Sequence, residues 1–210
     1  MFSKKMSNFY IADTHFFHKN VIKFDNRPFS SMEEMNEKLI SNWNSVVRNE
    51  DTVYILGDFI WSKPNSDEYK NIISHLNGWK VIVLGNHDPK QYSKELNRIG
   101  RIRKVCQMEE VVEEDGSHVI CSHYPIPFYR CAYQPNFFMF YGHIHTTREN
   151  TFMEHLTWHM ASSAEEDRGN NRAQLLNVGC MMSYMNYTPQ PFETLKNYVL
   201  ERNKTYGEKD

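Results

Sequence analysis

The chain has 210 residues, which is long enough for one well-buried domain and short for two. Its 40% hydrophobic, 14% aromatic and 24% charged residues exclude extensive disorder. A net charge of −2, from 24 Lys and Arg against 26 Asp and Glu, lacks the basic excess of proteins that bind many phosphates of a long nucleic acid. We therefore predict a single domain over residues 1–210, and we do not expect long nucleic acid as a partner.

The first half of the chain alternates strand signals with helix signals. Short runs rich in β-branched and aromatic residues at 8–12, 51–56 and 79–84 predict three buried strands. Residues 30–47, which begin with the capping-box sequence SSMEE, and residues 66–78 carry apolar side chains at helical spacing and predict two helices. This alternation is typical of a parallel sheet.

The second half is richer in strands. A turn at EDGS joins Val111–Val112 to Val119–Ile120 and predicts a hairpin. Apolar runs at 137–145 and 173–180 predict further strands.

A helix is predicted at the end of the chain, over residues 191–203, with Pro191 near its first turn. The segments 125–136 and 161–172 are rich in Pro, Asn, Ser and charged residues, which predicts surface loops.

The cysteines and the N-terminal sequence bear on location. The four cysteines are scattered and form no CxxC pair, so we expect reduced thiols. The N-terminus meets Asp13 and His15 before any apolar stretch of signal-peptide length, and no later stretch approaches the length of a membrane span. We predict a soluble, cytoplasmic protein without membrane association.

Polar side chains that bind metals or move protons follow the predicted strands. The sequences DTH at 13–15, GD at 57–58 and GNHD at 85–88 each follow a strand of the first half. His123 and the sequence GHIH at 142–145 follow strands of the second half in the same way. Because ligands bind at the carboxyl ends of strands in open α/β sheets, we expect these side chains to share one site.

The spacing of these residues suits a metal centre. In extended chain, residues two apart point to the same side, so each of two such pairs presents two ligands to one place. The set offers seven oxygen or nitrogen ligands without a thiolate, enough for two divalent cations bridged by one carboxylate; Mn, Fe, Zn, Co or Ni would fit, whereas calcium prefers more oxygens. The candidate ligands are Asp13, His15, Asp58, Asn86, His123, His143 and His145.

The motifs D-x-H, G-D, G-N-H-D, H and G-H-x-H, in that order between residues 13 and 145, resemble those of the calcineurin-like metallophosphoesterase superfamily. The sequence DTHFFHKN followed by RPF further resembles a small bacterial and phage branch of it. The resemblance implies an α/β metallophosphoesterase fold, a four-layer α/β/β/α sandwich with two mixed β-sheets.

The resemblance also implies how the ligands divide. One metal would be held by Asp13, His15 and His145, the other by Asn86, His123 and His143, with Asp58 as the bridge. Two divalent metal ions, with Mn²⁺ expected first, would draw in a phosphate, and a hydroxide shared between them would attack phosphorus.

His87 would face the substrate and protonate the departing oxygen, a general-acid role suited to imidazole near neutral pH. Protein phosphatases of the superfamily carry G-D-x-V-D-R-G, whose second Asp supports this histidine and whose Arg helps to hold phosphate. Here the text is GDFIWSK, so Trp61 stands where that Asp would be and the Arg is missing. We do not expect phosphoprotein phosphatase activity, and we assign the orientation of His87 to Asp88.

Substrate-binding candidates lie between the first metal motif and the first helix. His18, Asn20 and Arg27 could sit over the metals, and a guanidinium can hold phosphate through two parallel bonds. The alternative for Arg27 is a solvated cation before a helix. The pair His155 and His159 has helical spacing but lacks the glutamate of a zinc motif, so we interpret both as surface or packing residues.

An aromatic loop offers a substrate-stacking surface, because Tyr124, Phe128 or Tyr129 could stack on a base, although a packed loop explains them as well. We predict a dinuclear-metal phosphodiesterase for a nucleotide-type or other small phosphoester. The alternatives are a small-metabolite phosphatase, a nuclease, or a non-catalytic metal-binding scaffold; the oligomeric state stays open.

Overall fold

A computed structural model of the chain describes residues 6–63, 66–162 and 174–207. The strands are β1 (Asn8–Ile11), β2 (Thr52–Leu56), β3 (Trp79–Val83), β4 (Ile102–Cys106), β5 (Met108–Val112), β6 (His118–Ser122), β7 (Phe137–Tyr141), β8 (Gln174–Asn177) and β9 (Gln190–Pro191). The helices are α1 (Val21–Phe24), α2 (Met32–Val46), α3 (Asp67–His75), α4 (Lys94–Ile99), α5 (Arg148–Ser162) and α6 (Phe192–Gly207).

The first sheet has the strand order β4-β3-β2-β1-β9. Strands β1 to β4 run parallel, with Tyr10 beside Tyr54 and Tyr54 beside Val81, and β9 pairs antiparallel with β1. Connections through helices make this parallel arrangement possible. The carboxyl ends of β1, β2 and β3 therefore meet at one edge, as the sequence predicts.

The second sheet has the order β5-β6-β7-β8. Its edge pair β5–β6 is the predicted hairpin, in which Val111 lies opposite Val119, and β6, β7 and β8 are parallel. Both sheets are thus mixed, as expected from the sequence.

The two sheets pack face to face through aromatic side chains. The ring of Tyr10 on β1 meets the ring of Phe140 on β7 edge-on, with the ring centroids 5.1 Å apart. On the opposite face of β7, Met139 and Tyr141 join a second apolar cluster with Met153 of α5. Because both faces of β7 are covered, its sequence FFMFY is apolar throughout and does not alternate.

Helices cover the outer faces. In α2, Met35, Leu39 and Trp43 are buried in the main core, and the Ser31 hydroxyl caps the helix by accepting a hydrogen bond from the backbone N–H of Glu34. Across the molecule, α5 covers the second sheet, while α6 contacts α5, β1, β8 and β9. The α/β fold class with two mixed sheets and outer helices is confirmed.

Some elements differ from the sequence predictions. Pro191 pairs with Phe9 in β9 and precedes α6, so the closing helix begins one residue later than predicted and continues to 207. The helices α1, α4 and α5 were not predicted. α1 and α4 span only four and six residues, too few for a periodic pattern, whereas α5 was missed although Met153, Leu156 and Met160 lie at helical spacing. The predicted loop at 161–172 begins inside α5, and its residues from 163 onward lie outside the described part. None of the described helices is both long and apolar enough to cross a membrane.

Candidate metal centre

The loops after the strands hold their functional residues in an uncommon backbone conformation. Positive φ angles occur at Asp13 (55°), His15 (51°), Asp58 (50°), His143 (72°) and His145 (45°). Residues with side chains rarely adopt this left-handed region, and such strain persists only where surrounding contacts enforce it. Here backbone hydrogen bonds do so, since the N–H of Asp13 donates to the Gly57 carbonyl at 3.0 Å and the N–H of His15 to the Asp58 carbonyl at 3.0 Å.

A first cluster combines residues from both sheets. Asp13 and His15 follow β1, and His145 follows β7; one ligand atom from each lies within 4.8 Å of the others. The Nε2 atoms of His15 and His145 are 3.3 Å apart, and Nε2 of His145 is 3.8 Å from Oδ1 of Asp13. Asp13 and His15 are almost completely buried.

A second cluster consists of Asp58 after β2, His123 after β6 and His143 after β7, again with ligand atoms within 4.8 Å. Asn86 joins it, because its Oδ1 lies 2.9 Å from Nε2 of His123. These four residues come from four different strand ends, so only the folded arrangement of both sheets brings them together.

Asp58 lies between the clusters. Its Oδ2 is 3.7 Å from Nε2 of His15 and 3.6 Å from Nε2 of His123. Its Oδ1 accepts a hydrogen bond from the backbone N–H of His87 at 3.0 Å. One carboxylate therefore faces a histidine of each cluster, which is the position of a bridging ligand.

Two glycines make this close approach sterically possible. A Cβ on Gly57, where φ is +86°, would lie 2.2 Å from Nδ1 of His123. A Cβ on Gly85 would lie 2.2 Å from Oδ1 of Asp58. Any side chain at either position would displace a residue of the second cluster.

The donor set fits cations, because lone pairs converge in the second cluster. Nδ1 of His123 donates to the Leu56 carbonyl oxygen at 2.9 Å, so in the neutral ring Nε2 carries a lone pair. That lone pair faces the amide oxygen of Asn86 and the carboxylate of Asp58. Three acceptors directed at one point repel one another unless a cation lies among them, and nitrogen with oxygen ligands suits transition-metal dications.

In the first cluster, Asp25 orients a histidine from behind. Nδ1 of His145 donates to Oδ1 of Asp25 at 2.6 Å, which leaves Nε2 directed at the cluster. A carboxylate behind a ligating histidine fixes the ring and raises its basicity. Sequence reasoning missed Asp25, although its place in the loop after the metal motif is a usable signal.

Arg27 does not lie where a substrate ligand would. It is 4% exposed, and its guanidinium donates to the carbonyl oxygens of Asp13 (2.8 Å) and Thr14 (2.9 Å) and to Oδ2 of Asp25 (2.8–2.9 Å). The guanidinium is therefore already engaged, and the contact with phosphate that the sequence suggested is not among its interactions here. The residue ties the first metal loop to Asp25.

Burial and neighbouring charges shift the pKa values of the first cluster. Burial raises the pKa of Asp13 to about 6, and burial together with the neighbouring His145 lowers the pKa of His15. For His145, burial lowers the pKa, but the hydrogen bond to Asp25 and the charge of Asp13 more than offset it. Burial acts upward on Asp25 as well, yet its bond with His145 and the charge of Arg27 hold its pKa below the usual value.

Asp88 has a different role from the one predicted. Its carboxylate accepts three backbone hydrogen bonds, from Gly85 (2.8 Å), Asp58 (2.8 Å) and Phe59 (3.0 Å). It thus ties the loop after β3 to the loop after β2. The prediction that Asp88 orients His87 does not match these contacts.

The ring of His87 lies instead against Trp61, with the centroids 4.5 Å apart, and its centroid is 6.0 Å from that of His15. The ring of His18 also stacks on Trp61, with the ring centroids 4.1 Å apart and an interplanar angle of 8°. His18 and His87 are thus placed beside the first cluster. Asn20 is exposed at the start of α1 and makes no side-chain capping bond.

The aromatic loop divides into three situations. Tyr124 is 47% exposed and lies on His143, with the centroids 4.6 Å apart, so it borders the second cluster. Phe128 is 83% exposed, whereas Tyr129 is buried in the cluster beneath α5. His155 and His159 are both exposed on α5, as their interpretation as surface residues requires.

The fold combines two mixed α/β sheets with paired His–carboxylate clusters at the ends of their strands. A model of the calcineurin-like phosphoesterase family matches residues 9–174, and the chain belongs to that family. The superfamily resemblance of the motifs is thereby confirmed.

Similar proteins extend the comparison. The chain is 55% identical over 78 residues to the uncharacterized protein MJ1445 of Methanocaldococcus jannaschii, a match that covers 37% of this chain and 44% of that protein. It is 34% identical over 103 residues to the gene 66 protein of Mycobacterium phage L5, covering 45% and 46%. The chain thus spans less than half the length of these curated relatives.

A solved structure supports the fold. The crystal structure of AQ665 from Aquifex aeolicus, a protein of unknown function, superposes with a TM-score of 0.63 and 23% identity. The superposition covers 92% of this chain and 100% of that chain. At this identity the likeness concerns the fold alone.

Proposed function

We propose that this chain is a phosphodiesterase that hydrolyses nucleotide-type or other small phosphodiesters with two divalent cations, Mn²⁺ foremost. The observation that carries the proposal is the position of Asp58 between two ligand clusters, 3.6–3.7 Å from a histidine of each. Two cations that share a carboxylate can stabilise both the attacking and the leaving oxygen of an in-line displacement.

When bound, the cations supply positive charge for the phosphoryl oxygens and for activation of the attacking water. The chain's own residues hold that charge in place. Asp13, His15 and His145 would hold one cation, and His123, His143 and Asn86 the other, with Asp58 shared. Asp25 fixes the tautomer of His145, and the Leu56 carbonyl fixes that of His123, so that both rings present Nε2 to the centre.

His87 is the proposed general acid. Its backbone N–H bonds to the shared carboxylate of Asp58 at 3.0 Å, which keeps the residue next to both clusters while its side chain stays exposed to an incoming substrate. A protonated imidazole there would give its proton to the leaving ester oxygen as the phosphorus–oxygen bond breaks. Such proton transfer contributes roughly 10²- to 10⁴-fold to the rate.

The contacts of Arg27 favour a diester substrate, because they leave the guanidinium engaged by protein groups. A phosphomonoester carries more negative charge than a diester and gains more from an added cation. The guanidinium that sequence reasoning placed over the metals is committed to two backbone carbonyls and to Asp25. Tyr124, a half-exposed ring beside the second cluster, suits the planar groups of nucleotide esters.

The test compares hydrolysis of bis(p-nitrophenyl) phosphate and p-nitrophenyl phosphate by chelated protein reloaded with Mn²⁺. We expect the wild type to prefer the diester. On an alkyl phosphodiester, whose poor leaving group needs a proton, activity should be strongly reduced in His87→Ala and retained in His155→Ala, a matched substitution of an exposed histidine on α5. Monoester preference would point to a small-metabolite phosphatase, and cleavage of oligonucleotides above small diesters would point to a nuclease. Two bound metals without turnover of any ester would point to a scaffold, and each of these results would overturn the proposal.

A further inference from the structure

A backbone hydrogen bond holds Trp61 beside the loop that carries Asp13 and His15. The backbone N–H of Trp61 donates to the Phe16 carbonyl oxygen at 2.7 Å, next to an isolated parallel bridge between Phe16 and Ile60. The side chain nevertheless remains 42% exposed, although Trp is usually mostly buried in a folded domain. A rigidly held, half-exposed indole at the rim of a metal centre calls for a functional explanation.

The indole is the central member of a row of rings. Phe24 meets His18 edge-on at 6.1 Å, His18 stacks on Trp61 at 4.1 Å, and Trp61 contacts His87 at 4.5 Å with an interplanar angle of 58°. Tilted and stacked ring pairs at these distances attract one another beyond the burial of their area. The row braces Trp61 against movement away from His87.

The ring of His87 depends on its contact with Trp61, because the carboxylates of Asp88 and Asp58 bond to backbone groups and not to that ring. The carboxylate of its neighbour Asp88 is used by three backbone N–H groups, and Asp58 holds the backbone of His87 but not its ring. The imidazole is on an exposed residue, so without a neighbouring ring its side-chain torsions would be free to rotate. Trp61, with its centroid 4.5 Å away, restricts them more closely than His15, whose centroid is 6.0 Å away.

We propose that Trp61 is the positioning residue of His87, holding the imidazole where it can protonate the leaving group. The inference rests on the proposed general-acid role of His87. In the reaction, a hydroxide oxygen derived from water forms a new bond to phosphorus while the ester P–O bond breaks. The departing oxygen takes both electrons of the broken bond, and the proton on the imidazole moves to that oxygen. Water afterwards restores the proton to the ring. Trp61 exchanges no proton; it narrows the range of ring orientations.

A series of aryl and alkyl phosphodiesters with leaving groups of rising pKa tests this assignment. A poor leaving group needs the proton, whereas p-nitrophenolate leaves without much help. For Trp61→Ala we expect kcat/KM to fall by about 10- to 100-fold on the poorest leaving group and by about threefold or less on p-nitrophenyl esters, mainly through kcat. In His87→Ala, kcat/KM should likewise fall more steeply as the pKa of the leaving group rises. Trp61→Phe, which keeps a ring, should restore most of the activity.

Combining the changes separates positioning from a merely structural role. Residues that act as a unit give strongly non-additive losses, so the double variant Trp61→Ala/His87→Ala should be no slower than His87→Ala. Phe128→Ala, a change of an aromatic residue that is 83% exposed, is the control and should leave the dependence on leaving group unaltered. Equal loss on all leaving groups, or additive losses in the double variant, would overturn the inference.

A measurement without turnover keeps this test independent of the proposed function. At 4.5 Å from the indole, the ring protons of His87 should show a ring-current shift in the NMR spectrum of the metal-free protein. We expect the resonance, assigned by its absence in His87→Gln, to move towards ordinary values in Trp61→Ala. An unchanged resonance would show that Trp61 does not fix the ring, whereas a wild-type protein that cleaves no ester at all would overturn the proposed function instead.

Discussion

The two ligand clusters are supported by different kinds of partner. Behind the first, His145 bonds to Asp25, which is paired with the buried Arg27, so a charged layer supports the cluster. Behind the second, His123 bonds to the carbonyl oxygen of Leu56, which belongs to β2. His145 therefore depends on side chains that a substitution can remove, whereas His123 depends on the backbone of the sheet.

The clusters also differ in exposure. Asp13 and His15 are 0% and 3% exposed. In the second cluster His123 is equally buried, whereas Asn86 is exposed and His143 is partly exposed beneath Tyr124. Asp58 faces a histidine of each cluster, and the second cluster is the more open of the two at Asn86 and His143. Two clusters built from the same residue types can therefore differ in how strongly a substitution weakens metal binding. The expected effects of substitutions can be ranked on this basis.

The largest effect is expected at Asp58, the residue common to both clusters. Asp58→Asn keeps the shape but removes the charge that faces His15 and His123. We expect both cations to bind more weakly and turnover to fall by more than about 100-fold, the upper end for changes outside the ligand set. Mass spectrometry measures the metal stoichiometry, and hydrolysis of a diester measures the turnover. Asp67→Asn, on the exposed first turn of α3, is the matched control, and two retained equivalents of metal in Asp58→Asn would contradict the bridging position.

Asp25→Asn should separate the two clusters. The amide loses the charge that pairs with Arg27 and holds the ring of His145, while the contact between His123 and Leu56 is untouched. We expect the affinity for one cation to fall by about 10- to 100-fold and the affinity for the other to change little. Titration of metal-free protein with Mn²⁺ would then show one tight and one weak site. Equal weakening of both sites would contradict the idea that the clusters are supported independently.

The members of both clusters could be grouped from the sequence because each lies within a few residues of a strand end and two pairs recur at spacing two, signals that are local in sequence. The contacts that support the clusters could not be predicted from the sequence, because they join segments that are apart in the chain. Asp25 meets His145 across 120 residues, and Trp61 meets His87 through two loops whose relative placement depends on sheet packing. Arg27 shows the same limit: its sequence position suggests a surface cation or a phosphate ligand, and only the fold shows it buried against backbone carbonyls. The edge strand β9 escaped prediction because two residues carry no periodic pattern.

The smallest effect is expected at the more open second cluster, in Tyr124→Ala. The ring lies on His143 at 4.6 Å and on His123 at 5.0 Å, and it is half-exposed. Contacts of this kind contribute about 0.5–1.5 kcal/mol, which corresponds to roughly a two- to tenfold change in KM for an aryl or nucleotide diester. Because His123 remains held by Leu56, we expect metal stoichiometry and kcat to stay close to wild type. A loss of metal in Tyr124→Ala, absent in the Phe128→Ala control, would instead show that the second cluster needs side-chain support as much as the first.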